Sequence, residues 1–129
     1  MTFYLIHHAH TDVGYTDRQE KIAWYHAGYL ESVIQILREA ETKEEWRGFR
    51  WNVETFWMVE QLLRFSPPET VADFWRYVRE GKIGLSGSYL NGTDLLDDRI
   101  LRETLESCRA VALENGVVLR SAMTAGSMC

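Results

Sequence analysis

The chain has 129 residues, enough for one domain around one hydrophobic core. Its composition, 46% hydrophobic and 12% aromatic, excludes a disordered polypeptide. A formal net charge of −5, with Lys and Arg scattered among acids, leaves no basic stripe to neutralise a phosphate backbone, so no nucleic-acid partner is expected. Nothing approaches the roughly 18 consecutive apolar residues of a membrane span, and Met1–His8 lacks the basic start of a signal peptide. Cys108 and Cys129 have neither CxxC nor zinc-knuckle spacing, so reduced thiols in a cytoplasmic protein are expected.

In chain order, Thr2–Ile6 reads as a short buried strand, apolar on both sides. His7–Asp17 is a polar loop containing Gly14. A helix is predicted from Asp17 to about Glu41, because Ile22, Tyr25, Tyr29, Leu30, Val33 and Leu37 recur at three- and four-residue spacing. Phe49–Val53 is the second strand candidate. A helix over about Thr55–Phe65 follows and ends at Ser66-Pro67-Pro68. Pro68 opens another over about Glu69–Glu80, stopped by Gly81. Lys82–Ser86 is the third strand, and Gly87–Leu96 a loop rich in Gly, Asn and Asp. Asp97 or Asp98 starts a helix to about Asn115, with Cys108 on its apolar face, and Val117–Met123 is the fourth strand. The order β-α-β-α-α-β-α-β predicts an α/β fold of parallel β/α units: a four-stranded open sheet or about half of a β/α barrel.

His7, His8, His10 and Asp12 crowd the end of the first predicted strand, where ligands bind in parallel α/β folds. Imidazole and carboxylate suit Zn²⁺ or a similar ion. Residues two apart in an extended segment point the same way, so His10 and Asp12 are candidate ligands of one metal, with His8 able to share that face. Glu54, after the second strand, is placed to hydrogen-bond a sugar hydroxyl, to orient a histidine ligand, or to interact with a helix N-terminus. Asn91, Thr93 and Asp94 follow the third strand. Tyr15 offers an aromatic face for stacking on a pyranose, or for packing at the loop base.

His8-Ala9-His10-Thr11-Asp12-Val13-Gly14-Tyr15-Thr16 resembles the opening motif of glycoside hydrolase family 38, the α-mannosidases, whose first strand ends in His-x-Asp-x-Gly-Trp. Phe49–Glu54 is similar to the family's second strand ending in glutamate, and Gly81–Gly87 to its third strand with a terminal glycine. The likeness covers nearly the whole chain, but only the N-terminal part of the family's catalytic domain. It implies the N-terminal portion of a seven-stranded β/α barrel, a zinc ion held in part by His10 and Asp12, and a retaining mechanism with two carboxylates on an α-mannoside. Tyr15 stands where the family usually has a sugar-stacking Trp; His8, Glu54 and Asp94 are further substrate-binding candidates. The family's fourth strand is followed by an aspartate that binds the metal and acts as nucleophile, whereas here no Asp or Glu occurs after Glu114. The nucleophile, the general acid and the rest of the metal shell are therefore expected beyond residue 129, leaving this chain inactive alone with an incomplete zinc site. Two other readings are a metal-dependent polysaccharide deacetylase, in which a metal-bound water attacks an acetyl group, and a non-catalytic half-barrel that forms homo-oligomers to cover its open edges.

Overall fold

The structure is a computed structural model that describes residues 1–3, 7–91 and 97–122. Four α-helices dominate them: α1 (Gln19–Ala40), α2 (Phe56–Phe65), α3 (Pro68–Arg79) and α4 (Asp98–Glu114). A single turn of 3₁₀ helix spans Glu44–Trp46. Two short strands, β1 (Trp51–Val53) and β2 (Ile83–Leu85), pair in parallel, with Trp51 opposite Ile83 and Val53 opposite Leu85.

The helices form where local pattern and punctuation agree. Along α1, Ile22, His26, Leu30, Ile34 and Leu37 are buried at helical spacing. Proline at position 67 disfavours helical backbone at Ser66, which is extended, and α2 ends there. Pro68 occupies the first turn of α3, where its missing N–H costs nothing. Gly81 takes a φ of +71° after α3, a conformation that penalises a side chain. The carboxylate of Asp97 accepts the Arg99 N–H at 2.8 Å and caps α4.

One core joins these elements: Leu30, Val33, Ile34 and Leu37 of α1, Met58, Val59 and Leu62 of α2, Phe74 and Tyr77 of α3, and Val53 and Ile83 of the sheet. Truncating a fully buried residue such as Leu30 to alanine costs about 2–5 kcal/mol. Cys108 lies on the buried side of α4, as expected, and burial pushes its thiol up to about 11.

The expected sheet is corrected. Among the described residues the chain is mostly helical, with a two-stranded parallel sheet and no barrel. The fourth predicted strand, over residues 117–123, is not formed by the described Val117–Ala122, and residue 123 lies outside them. The first predicted strand falls mostly outside the described residues: positions 4–6 are not among them, and Thr2 and Phe3 are exposed and belong to no strand. Flanking chain does touch the sheet. The Asn52 N–H donates to the His7 carbonyl at 2.8 Å, and the Gly87 N–H donates to the Ser121 carbonyl at 2.8 Å. A strand needs a repeating ladder to a remote partner, and among the described residues the bond to Ser121 is not continued into one. A helix satisfies its own backbone, so its periodic pattern is sufficient.

Candidate functional site

The C-terminal end of β1 delivers Glu54 into the interior beside the loop that precedes α1. Two backbone bonds bring the chain after β2 to the same place: the Phe56 N–H donates to the Ser88 carbonyl at 2.8 Å and the Trp57 N–H to the Tyr89 carbonyl at 3.1 Å. These occupy N–H groups at the start of α2 that have no partner within the helix. They also bring Asn91 within reach of Glu54.

The His10 side chain, 47% exposed, is held from two sides. Its Nδ1 donates to the buried Glu54 Oε1 at 2.7 Å, and its Nε2 lies 3.4 Å from Asp12 Oδ1. With a carboxylate accepting at Nδ1, the neutral ring carries its proton there and leaves Nε2 as the free nitrogen on the Asp12 side; in the charged ring Nε2–H points to the Asp12 carboxylate. The hydrogen bond from His10 to Glu54 raises the pKa of the imidazole above its ordinary value; partial burial opposes this, and the charges of Glu54 and Asp12 and a hydrogen bond to Asp12 reinforce it. Glu54 Oε1 also accepts from Asn91 Nδ2 at 3.0 Å. That bond assigns the orientation of the Asn91 amide, because the carboxylate can only accept. Asn91 Oδ1 then faces away, buried and without a hydrogen-bond partner among the described residues.

A cleft of about 470 Å³ opens beside this cluster, lined by Thr11, Asp12, Tyr15, His26, Glu54 and Asn91 among others. Tyr15 is 91% exposed, so its ring is offered to solvent and does not pack at the loop base. His8 is exposed and lies outside the hydrogen bonds and ion pairs that join His10, Asp12, Glu54 and Asn91. Thr93 and Asp94 lie outside the described residues.

His26 is a lining residue that sequence reasoning passed over. It is 2% exposed, with its ring against the edge of Trp57 at 5.2 Å and tilted towards Tyr29 at 5.7 Å. Burial lowers its pKa; the nearby Thr11 carbonyl and the Glu54 charge pull the other way, and His10 adds to the lowering. Neither ring nitrogen meets a partner at full hydrogen-bonding distance and angle among the described residues. The signal was present: His26 falls four residues after Ile22 and four before Leu30, a polar group inside the apolar stripe of α1.

Among the described residues no group of three or more His, Cys, Asp or Glu side chains could hold a metal ion. His10 and Asp12 do suit a shared cation as a pair. Two ligands each about 2.0–2.2 Å from zinc at the tetrahedral angle stand about 3.4 Å apart. The His10 Nε2 to Asp12 Oδ1 separation is 3.4 Å. Glu54 adds the carboxylate that commonly orients a metal-binding histidine from behind. Comparison with known families, curated proteins and solved structures returned no match to this chain.

Proposed function

We propose that this chain is the N-terminal part of a zinc-dependent, retaining α-mannosidase-like glycoside hydrolase, and that His10 and Asp12 are two of its zinc ligands. One observation carries the reading: His10 is fixed by a buried carboxylate at Nδ1 while its Nε2 faces Asp12 at 3.4 Å. Glu54 is a positioning residue, holding the ring orientation and tautomer that a cation requires. Asn91 in turn holds Glu54. Tyr15, exposed at the cleft, presents its ring to the apolar face of a sugar. When bound, the zinc ion would supply Lewis-acid attraction for neighbouring sugar hydroxyls. A retaining reaction needs two carboxylates about 5–5.5 Å apart. Glu54 is committed to His10 and Asn91, and Asp12 to the cation, so no residue described here is assigned as nucleophile or general acid.

Calorimetric titration with zinc chloride tests the reading. The wild-type chain is expected to bind one ion weakly, and His10→Ala and Asp12→Ala each to lose that binding with an unchanged circular dichroism spectrum. Zinc affinity that survives both substitutions would overturn the site. No turnover of an aryl α-mannoside is expected from the 129-residue chain, even with zinc. Turnover that His10→Ala abolishes would show that a catalytic carboxylate is present after all.

A further inference from the structure

We propose that the groove between α2 and α4 is a docking site for a second copy of this chain, whose α4 offers an exposed stripe of arginine and leucine to the acidic, apolar lining of the groove.

α4 is thinly embedded. Of its 17 residues, Cys108 and Ala112 alone are buried. Along one flank it faces α2 across a groove of about 400 Å³. Phe56 and Cys108 are buried in the lining, while Leu63 and Ile100 remain 38% and 40% exposed. The charged residues of the lining are Glu60 and Glu103, with no Lys or Arg beside them. One oxygen of Glu60 accepts from the Tyr89 hydroxyl at 2.6 Å, and Glu103 stands 3.8 Å from Arg99, a loose pair. Apolar walls under two carboxylates suit a helix that brings aliphatic anchors with cations at their side.

The chain carries such a surface itself. Arg102, Leu105, Arg109 and Leu113 recur at three- and four-residue spacing and are all exposed. Arg109 meets no carboxylate among the described residues. Leu105 and Arg109 share a shallow hollow with Leu119 and Arg120, whose lining holds no acid. The groove residues Ile100, Thr104, Ser107 and Val111 run along the opposite flank of the same helix. A rigid helix cannot fold one flank onto the other, so the two surfaces meet only between copies. They differ in composition, which makes the contact heterologous, and assembly continues past a dimer unless it closes into a ring. A net charge of −5 repels copies at large, so attraction has to come from this local complementarity.

Sedimentation velocity of the metal-free 129-residue chain under reducing conditions tests the proposal. The wild-type chain is expected to associate as its concentration rises through the micromolar range, and to dissociate as sodium chloride is added; both readouts need no variant. Glu103→Arg and Arg109→Glu, each set against like charge in the neighbouring copy, are expected to weaken association at least about tenfold with unchanged circular dichroism. An equimolar mixture of the two variants is expected to associate again, because each supplies the surface that the other has lost. A wild-type chain that stays monomeric throughout would overturn the second copy as occupant. Association that salt and both reversals leave untouched would overturn the groove as its site, as would a mixture that fails to recover.

Discussion

Two polar clusters of this molecule both hold Asp and Glu side chains but end in opposite states. At the seam between α1 and α3, Arg76 donates to Glu41 at 2.7 Å, to Asp73 at 3.0 Å and to Glu80 at 3.3 Å. Arg38 pairs with Asp73 at 2.7 Å, and the Tyr77 hydroxyl donates to Glu41 at 2.8 Å. The guanidinium of Arg76 also lies over the Tyr77 ring, 4.1 Å from its centroid. The charges at this seam meet opposite charges. At the cleft, by contrast, the His26 ring nitrogens and Asn91 Oδ1 have no hydrogen-bond partner among the described residues, and His10 Nε2 and Asp12 Oδ1 stand 3.4 Å apart. A saturated cluster stabilises a fold, whereas buried polar atoms left without partners detract from stability.

Substitutions sharpen this contrast. The largest effect is expected at Glu54. Glu54→Gln should lower zinc affinity about 10–100-fold, as loss of an orienting partner does, with zinc affinity read by competition against a chromogenic chelator. An unchanged affinity would mean that the carboxylate serves packing and not His10. Next is Arg76→Ala, expected to cost roughly 1–2 kcal/mol in urea unfolding. That figure is reduced for solvent screening, since the Arg76 and Glu41 side chains are 37% and 42% exposed. It should leave zinc affinity unaltered, and a parallel loss of zinc binding would break the separation of the two clusters.

The smallest effect is in pH dependence. Burial, and then the hydrogen bond to Glu41, push the Tyr77 hydroxyl up to about 12, and burial with Glu60 does the same for Tyr89. A raised folded-state pKa means that this stability is complete below the unfolded tyrosine pKa of about 10 and is lost as pH rises towards 12. Tyr77→Phe should flatten part of that alkaline decline, and Tyr77→Phe with Tyr89→Phe more of it. A decline that both leave untouched would place its origin elsewhere. Glu41 works at the other end. Hydrogen bonds from Arg76 and Tyr77 lower its pKa, so its contribution is present above the ordinary carboxylate range and lost as pH falls through the lowered value. Arg76→Ala should therefore also soften the acid limb of thermal unfolding followed by circular dichroism.

Much of the helical structure was legible in advance because its causes are local. The predicted Asp17–Glu41, Thr55–Phe65, Glu69–Glu80 and Asp97–Asn115 segments correspond to α1, α2, α3 and α4 within about two residues. The second and third strands were found but overestimated: Phe49–Val53 reduces to Trp51–Val53, and Lys82–Ser86 to Ile83–Leu85. The four-stranded sheet was misread for a physical reason. An apolar run such as Val117–Met123 is compatible with a strand, but strand formation depends on a partner edge that the run does not specify. In the fold, Val117 and Leu119 pack partly against the core without forming a ladder. No helix among the described residues is long and apolar enough to cross a membrane, in line with the hydropathy of the chain.

By itself, the sequence determined where helices begin and end, that His10 and Asp12 would stand close together, and that Glu54 would follow a strand. Short-range spacing and backbone chemistry decide those features. Only the tertiary structure decided that Glu54, 44 residues beyond His10, would hold its Nδ1. The same holds for Asn91, 37 residues beyond Glu54, which completes that hold, and for His26 of α1, which lines the same cleft. Such meetings depend on which way α2 packs on α1 and how β2 aligns with β1. Those are properties of the assembled core that no local stretch of sequence encodes.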